Sequence, residues 1–440
     1  MGCPMTHKSY PRYKESGVKW IGKVPEHWHV KPIKIITSCN DDSLPETIPS
    51  YTPIQYVDIS AVSHDEGITG TESMLFGDSP SRARRKARVG DVVVSTVRTY
   101  LKAVATVDEP HADCVYSTGF AVLRARHGQL MPEFLKWLVL NDLLIQAVES
   151  HSEGLSYPAI NASDLIKLKT VVPDFREQSQ IASILDSETS RIDALIAKKT
   201  RFIELLKEKR QALITYTVTK GLDPNVKMKD SGVEWIGEIP VLWEVRRMAS
   251  IFREVIRPGD PSLPILSVSI HDGITDDELA PEDRDRRVSQ IEDRTKYKRV
   301  APNDLAYNMM RAWQGAFGAV TVDGLVSPAY VVAEPTRAFR TGYIEHLLRT
   351  PMAIEEMRRY SRGIADFRMR LYWDYFRDLK VCLPTLDEQD RILTRIARET
   401  GHIDALIAKT QHSIDLLKER RSALITAAVT GKIDLRGYHV

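Results

Sequence analysis

The chain of 440 residues contains the same pattern twice. Lys14-Glu15-Ser16-Gly17-Val18-Lys19-Trp20-Ile21-Gly22, followed by Pro25 and Trp28, returns as Lys229-Asp230-Ser231-Gly232-Val233-Glu234-Trp235-Ile236-Gly237, Pro240 and Trp243. Nine of the fifteen positions from 14 to 28 are identical at this offset of 215. A second stretch, 173–223, returns at 384–434 with 26 of 51 positions identical. Between these anchors Asp91 and Arg98 align with Asp304 and Arg311, and Ser152 and Gly154 with Ser361 and Gly363. A duplication of this kind folds into two similar units rather than one enlarged core.

The matched tails read as long helices. From Glu177 to Thr219 apolar residues fall at Ile181, Leu185, Ile192, Leu195, Phe202, Leu206 and Leu213, with no Gly or Pro between. The second copy carries Ile392, Ile396, Ile403, Leu406, Ile414, Leu417 and Leu424. Steps of three and four residues describe a coiled-coil-like seam. Pro173 and Asp174 open the first helix, Gly221 and Pro224 close it, and Gly431 closes the second. At 1.5 Å per residue such a helix is roughly 65 Å long, and its stripe needs a partner. The other copy supplies one, antiparallel about a pseudo-twofold axis.

The regions between read as mixed strand, loop and short helix. Strands are expected at Asp91–Val97, Tyr116–Leu123, Asp304–Met310 and Tyr330–Glu334, and short helices over Pro132–Glu149 and Tyr343–Tyr360. The fold class is therefore α+β, with two globular domains in tandem repeat separated by two long antiparallel helices. The boundaries are 1–175 for the first domain, 176–222 for the first helix, 223–385 for the second domain, and 386–440 for the second helix and tail.

Net charge is +2, so any affinity for nucleic acid must come from basic residues gathered on one face. Arg82, Arg84, Arg85, Lys86, Arg88, Arg98 and Lys102 stand against one acid, Asp91, in the first middle region. Arg98-Thr99-Tyr100 has a counterpart in Arg311-Ala312-Trp313. Arg284, Arg286, Arg287, Arg294, Lys296, Lys298 and Arg299 are interleaved with acids, and a mixed-charge solvated loop explains them equally well. Arg368 and Arg370, near Tyr372 and Trp373, form another basic and aromatic strip. Arginine beside polar and aromatic groups suits both phosphate contact and base-edge reading.

Other chemistry is missing from the sequence. Four scattered cysteines, Cys3, Cys39, Cys114 and Cys382, point to a reducing compartment without structural zinc. No run of about 18 apolar residues is present, and the first 30 residues do not look like a signal peptide, so a soluble cytoplasmic protein is expected. The Met1-Gly2-Cys3 start meets only a loose myristoylation pattern. There is no GxxxxGK[ST], GxGxxG, HExxH or [ND]PP[YF] motif, and Asp378-Leu379-Lys380 is a lone DxK. The reading is a binder rather than an enzyme.

The SGxxWIGxxPxxW openings at 16–28 and 231–243, with the Glu177-Gln178…Ile192-Asp193…Leu205-Leu206-Lys207-Glu208 tail and its twin at 388–426, resemble the specificity subunits of type I restriction-modification systems (the HsdS family). The resemblance covers nearly the whole chain. It implies that each middle region is a target-recognition domain reading one half of a split double-stranded DNA site. The helix pair would set the spacing and dock two methyltransferase subunits, with restriction subunits joining the complex. It further implies no cofactor in this chain, with S-adenosylmethionine, ATP and Mg held by partner subunits. Half-sites one helical turn apart lie about 34 Å apart, within reach of such a helix pair. The candidate DNA contacts are Arg82, Arg84, Arg85, Lys86, Arg88, Arg98, Tyr100 and Lys102 in the first domain, and Asn308, Arg311, Trp313, Arg368 and Arg370 in the second. Two alternatives stay open: a single-chain modification enzyme or nuclease, and a protein-only scaffold built on the helices.

Overall fold

A computed structural model of the chain describes residues 8–45, 47–154, 156–270, 273–275, 293–363 and 369–438. They form two compact units, residues 1–200 with 412–440 and residues 201–411. Each unit therefore combines one globular region with the start of one long helix and the end of the other.

The same four-stranded antiparallel sheet recurs in both. In the first unit its order is Val104–Thr106, Val92–Ser95, Phe120–Ala125, Thr37–Cys39. In the second it is Phe317–Ala319, Leu305–Asn308, Tyr330–Pro335, Phe252–Glu254. The central strands are buried on both faces, as continuous apolar runs such as Val92-Val93-Val94 require. The repeated aspartates organise the entry to these strands. Asp91 accepts from the Arg88 backbone N–H and pairs with Arg124, while Asp304 accepts from the Ala301 N–H and pairs with Arg257. The first unit adds a mixed sheet, Glu72–Leu75, Pro53–Val57, Val115–Ser117, Ala83–Lys86.

Several elements differ from the sequence expectation. The strand expected over Tyr116–Leu123 is two, Val115–Ser117 and Phe120–Ala125, divided at Thr118-Gly119. The helix expected over Pro132–Glu149 is also two, Pro132–Val139 and Asp142–Ser150, because Asn141 caps the second through the Leu143 N–H. Thr341–Leu348 and Pro351–Tyr360 divide likewise at Thr350-Pro351.

The long helices run unbroken over Phe175–Lys220 and Leu386–Val429. Asp174 caps the first by accepting from the Glu177 N–H, and Gly221 (φ 81°) ends it. In the first unit Gln180 donates to the Leu435 carbonyl and Asp193 pairs with Arg421, so the second helix descends as the first rises. In the second unit Arg210 pairs with Asp404, and Gly221 lies beside Glu388, again antiparallel. The core of the first unit takes Ile181, Ile184 and Leu185 with Leu424, Ile425, Ala428 and Val429. That of the second takes Ile214 and Val218 with Ile392 and Ile396.

The seam bears out the sequence reading at Ile181, Leu185, Ile192 and Leu206 and at Ile392, Ile396, Ile403, Ile414 and Leu424, and departs from it at three positions. Leu195, Phe202 and Leu406 are roughly half exposed. The buried ladder is Ile181, Ile192, Ile203 and Ile214, matched by Ile392, Ile403, Ile414 and Ile425, each step eleven residues. Eleven residues make three turns at about 3.67 per turn, so each step returns to nearly the same face, drifting by only about 20° in the opposite sense to a seven-residue pattern.

The repeated tryptophans anchor the starts of these helices. Trp28 Nε1 donates to the buried Glu177 carboxylate at 3.0 Å, which also accepts from Tyr10 Oη at 2.5 Å and lies 2.9 Å from His27 Nε2. Trp243 repeats the contact on Glu388 at 2.9 Å. The repeated spacing of the SGxxWIGxxPxxW motif thus closes each unit onto a long helix.

Candidate nucleic-acid interface

In the first unit the central strand ends at Ser95 and the chain turns through Val97–Lys102. Thr96 accepts from the Ile160 N–H and donates to the Gly119 carbonyl, and Val97 bridges Ala159. The turn is thereby fixed against the Ser152–Ile160 segment, where Thr99 Oγ1 meets Ser152 Oγ at 2.9 Å. At its surface lie Arg98, Tyr100, Leu101 and Lys102, with the Arg98 guanidinium 5.2 Å from the centre of the Tyr157 ring. A cation over an aromatic face is held without an ion pair, leaving its N–H groups for a ligand.

The second unit repeats this arrangement. Its central strand ends at Asn308, whose Oδ1 accepts from the Met310 N–H at 3.0 Å, and the chain turns through Arg311–Gly315. The Leu371 N–H donates to the Met309 carbonyl, fixing the turn against Arg370–Tyr372. Arg358 lies over Trp313 at 5.5 Å, and Trp313 Nε1 donates to the Met310 carbonyl. Arg362 and Arg370 are joined by paired backbone hydrogen bonds of 2.9 Å, and Arg362 lies 4.9 Å from the Tyr375 ring. Met310, Tyr372 and Tyr375 are exposed around them.

The structure thus brings Arg98, Tyr100 and Lys102 into one patch, and Asn308, Arg311, Trp313 and Arg370 into another. Arg368 lies outside the described residues. The Arg82–Arg88 run holds the strand Ala83–Lys86, and its charges other than Arg85, whose Nε is buried without a hydrogen-bond partner, meet the protein's own groups. Arg82 reaches Asp58 at 2.9 Å and Arg88 reaches Asp42 at 2.9 Å, while Lys86 donates to the Asp113 carbonyl and Arg84 covers Phe76. Burial pushes the Asp58 carboxyl up, but hydrogen bonds from Tyr56, the Ser60 N–H and Arg82 outweigh it and hold the group below its ordinary value. Arg82 lies nearest the loop patch, since its carbonyl accepts from Thr118 beside Gly119. Sequence reasoning missed Tyr157, Arg358, Arg362 and Tyr375. The aligned Ser152-x-Gly154 and Ser361-x-Gly363 were the available signal that these segments matter.

Among the described residues no group of three or more His, Cys, Asp or Glu side chains is placed to hold a metal ion. None of the described helices is long and apolar enough to cross a membrane.

Known proteins resemble this chain in sequence and fold. The type I restriction enzyme MjaIX specificity subunit of Methanocaldococcus jannaschii is 25% identical over 247 residues, 53% of each chain. The EcoKI specificity subunit of Escherichia coli K12 is 20% identical over 94% of this chain and 90% of its own. Against the first relatives, including EcoBI of Escherichia coli, the chain spans 53–63% of their length. A chain from a type I R-M system, solved for its complex assembly and conformational transition, superposes with a TM-score of 0.69 at 20% identity, covering 94% of this chain and 99% of that one. The HsdS subunit of Thermoanaerobacter tengcongensis gives 0.52 at 22% identity, covering 95% and 100%. No protein-family model matches the chain.

Proposed function

We propose, from its place in the HsdS family of type I restriction-modification specificity subunits, that this chain is the DNA-reading subunit of such a system. Each unit reads one half of a bipartite double-stranded site. The observation that carries this is the recurrence of one device with different side chains. Arg98-Thr99-Tyr100 and Arg311-Ala312-Trp313 follow equivalent central strands, each braced by the segment after a helix pair. Equivalent backbone with unequal contact groups suits two readers of two sequences. Arginine gives bidentate contacts to guanine or phosphate, and a few such contacts supply about 1–3 kcal/mol of discrimination each.

The antiparallel long helices serve as spacer and as docking surface for two methyltransferase subunits, whose exposed targets are Leu195, Phe202, Leu205, Leu406 and Leu416. Those partners, with a restriction subunit, carry the S-adenosylmethionine, ATP and Mg chemistry. This chain performs none of it and works as a cytoplasmic adaptor between DNA and enzyme. An Arg311→Ala chain tests the division of labour in competition against duplexes altered in one half-site at a time. Discrimination is expected to fall at one half-site only; equal loss at both would refute the assignment of one unit to one half.

A further inference from the structure

The recognition turn of the first unit sits in backbone that its side chains disfavour. Among the described residues, the non-glycine residues with positive φ are Asn40, Arg98, Lys102 and Asn303. Asparagine tolerates this left-handed region; arginine and lysine do not. The second unit shows what the turn prefers. Lys102 aligns with Gly315, and both cap the same short turn, at φ 49° and φ 92°. Where the turn is built from Gly315 the backbone is unstrained, so a lysine at the equivalent place is kept at a conformational cost.

Between Arg98 and Lys102 the turn presents Tyr100 and Leu101, 53% and 46% exposed, beside Val97 and Tyr157 at 36% and 67%. Their counterparts are Trp313, tied down by its own Nε1 hydrogen bond and by Arg358, and polar Gln314. An apolar tip bracketed by two cations, with one carboxylate, Glu153, on the neighbouring segment, matches a base step bracketed by phosphates.

We propose that the Val97–Lys102 turn is a wedge that enters the duplex at the half-site read by the first unit. Tyr100 and Leu101 unstack one base step, and Arg98 and Lys102 grip the phosphates on either side. This rests on the DNA-reading function above and adds a mode of contact that the second unit lacks. The left-handed residues hold both cations at the two ends of the tip, which an ordinary extended loop would not do.

The test uses the full-length chain in complex with a type I methyltransferase. A duplex enriched from a random 40-base-pair pool is remade with 2-aminopurine at successive positions. With the wild-type chain, fluorescence is expected to rise severalfold at one step. With Tyr100→Ser/Leu101→Ser the rise disappears and affinity falls at least tenfold. Lys102→Gly and Lys102→Asn, which suit the left-handed backbone, are expected to weaken binding five- to tenfold while the melting temperature holds or rises. Tight binding with no 2-aminopurine response at any position overturns the wedge, as does unchanged affinity in both Lys102 variants. A wild-type complex that enriches no duplex overturns the DNA-reading function as well.

Discussion

Arg210 Nε donates to Asp404 Oδ1 at 3.0 Å, and the residues 211 positions away in the sequence, Arg421 and Asp193, form the matching ion pair at 3.0 Å. Each pair stands within one unit, and each joins the two long helices in the same antiparallel register. The repetition gives each unit an equivalent ion pair between its two helix segments. The pairs are not energetically equal, since Arg210 is 40% exposed and Arg421 only 16%.

Arg210→Ala is therefore expected to cost no more than about 1 kcal/mol, as an exposed pair screened by water. Arg421→Ala loses the packing of a buried stem as well and is expected to cost about 1–2 kcal/mol. Denaturant unfolding of the full chain measures both, and the ordering is the result to check.

The second unit should weaken in mild acid through His346. Burial pushes its imidazolium down to about 4, with Arg349 and Arg210 adding to the effect. The ordinary value is about 6.5, so between these limits the unfolded chain binds a proton that the folded chain refuses. The contribution is complete above pH 6.5 and is lost as pH falls towards 4. Moving from pH 7 to pH 5 is expected to remove about 2 kcal/mol through this group. In His346→Gln that part of the decline is absent, which parallel denaturation series would reveal.

Phe202 and Leu406 offer a clean separation of folding from assembly. Both are nearly half exposed, beside the isoleucine ladder rather than within it. Phe202→Asp and Leu406→Asp are expected to leave stability within about 0.5 kcal/mol. Their affinity for the methyltransferase partner proposed above, read by calorimetry, is expected to fall more than tenfold.

Arg362 and Arg370 face solvent on the second unit's patch, and the proposed role of each is one phosphate contact. Removing either is expected to lower the slope of log affinity against log salt by about 1. An unchanged slope would place both away from the DNA.

Much of this architecture was legible because a repeat states a fold twice. The long helices and the two similar units follow from matched residues, while the roles of Trp28 and Trp243 as anchors on Glu177 and Glu388 emerge only from the fold. The helix seam was legible at Ile181, Leu185, Ile192 and Leu206 and misplaced at Leu195 and Phe202, which satisfy a seven-residue pattern by spacing but lie beside the isoleucines that repeat every eleven. The patches were half legible. Arg98 and Arg311 sit in the repeat, but Tyr157, Arg358, Arg362 and Tyr375 reach them from about 50 to 65 residues away in sequence, by strand-end hydrogen bonds that no local pattern encodes. The partners of the basic run at Arg82–Arg88 were not legible, because the acids that engage it, Asp42 and Asp58, lie in loops distant in sequence.

Sequencing methylated adenines in a methylation-free strain that expresses this chain with its methyltransferase tests the two-reader account most directly. The account expects a split motif with a fixed gap, and an Arg311→Ala/Arg370→Ala chain that relaxes one half and leaves the other intact. A single uninterrupted motif, or relaxation of both halves together, would contradict it.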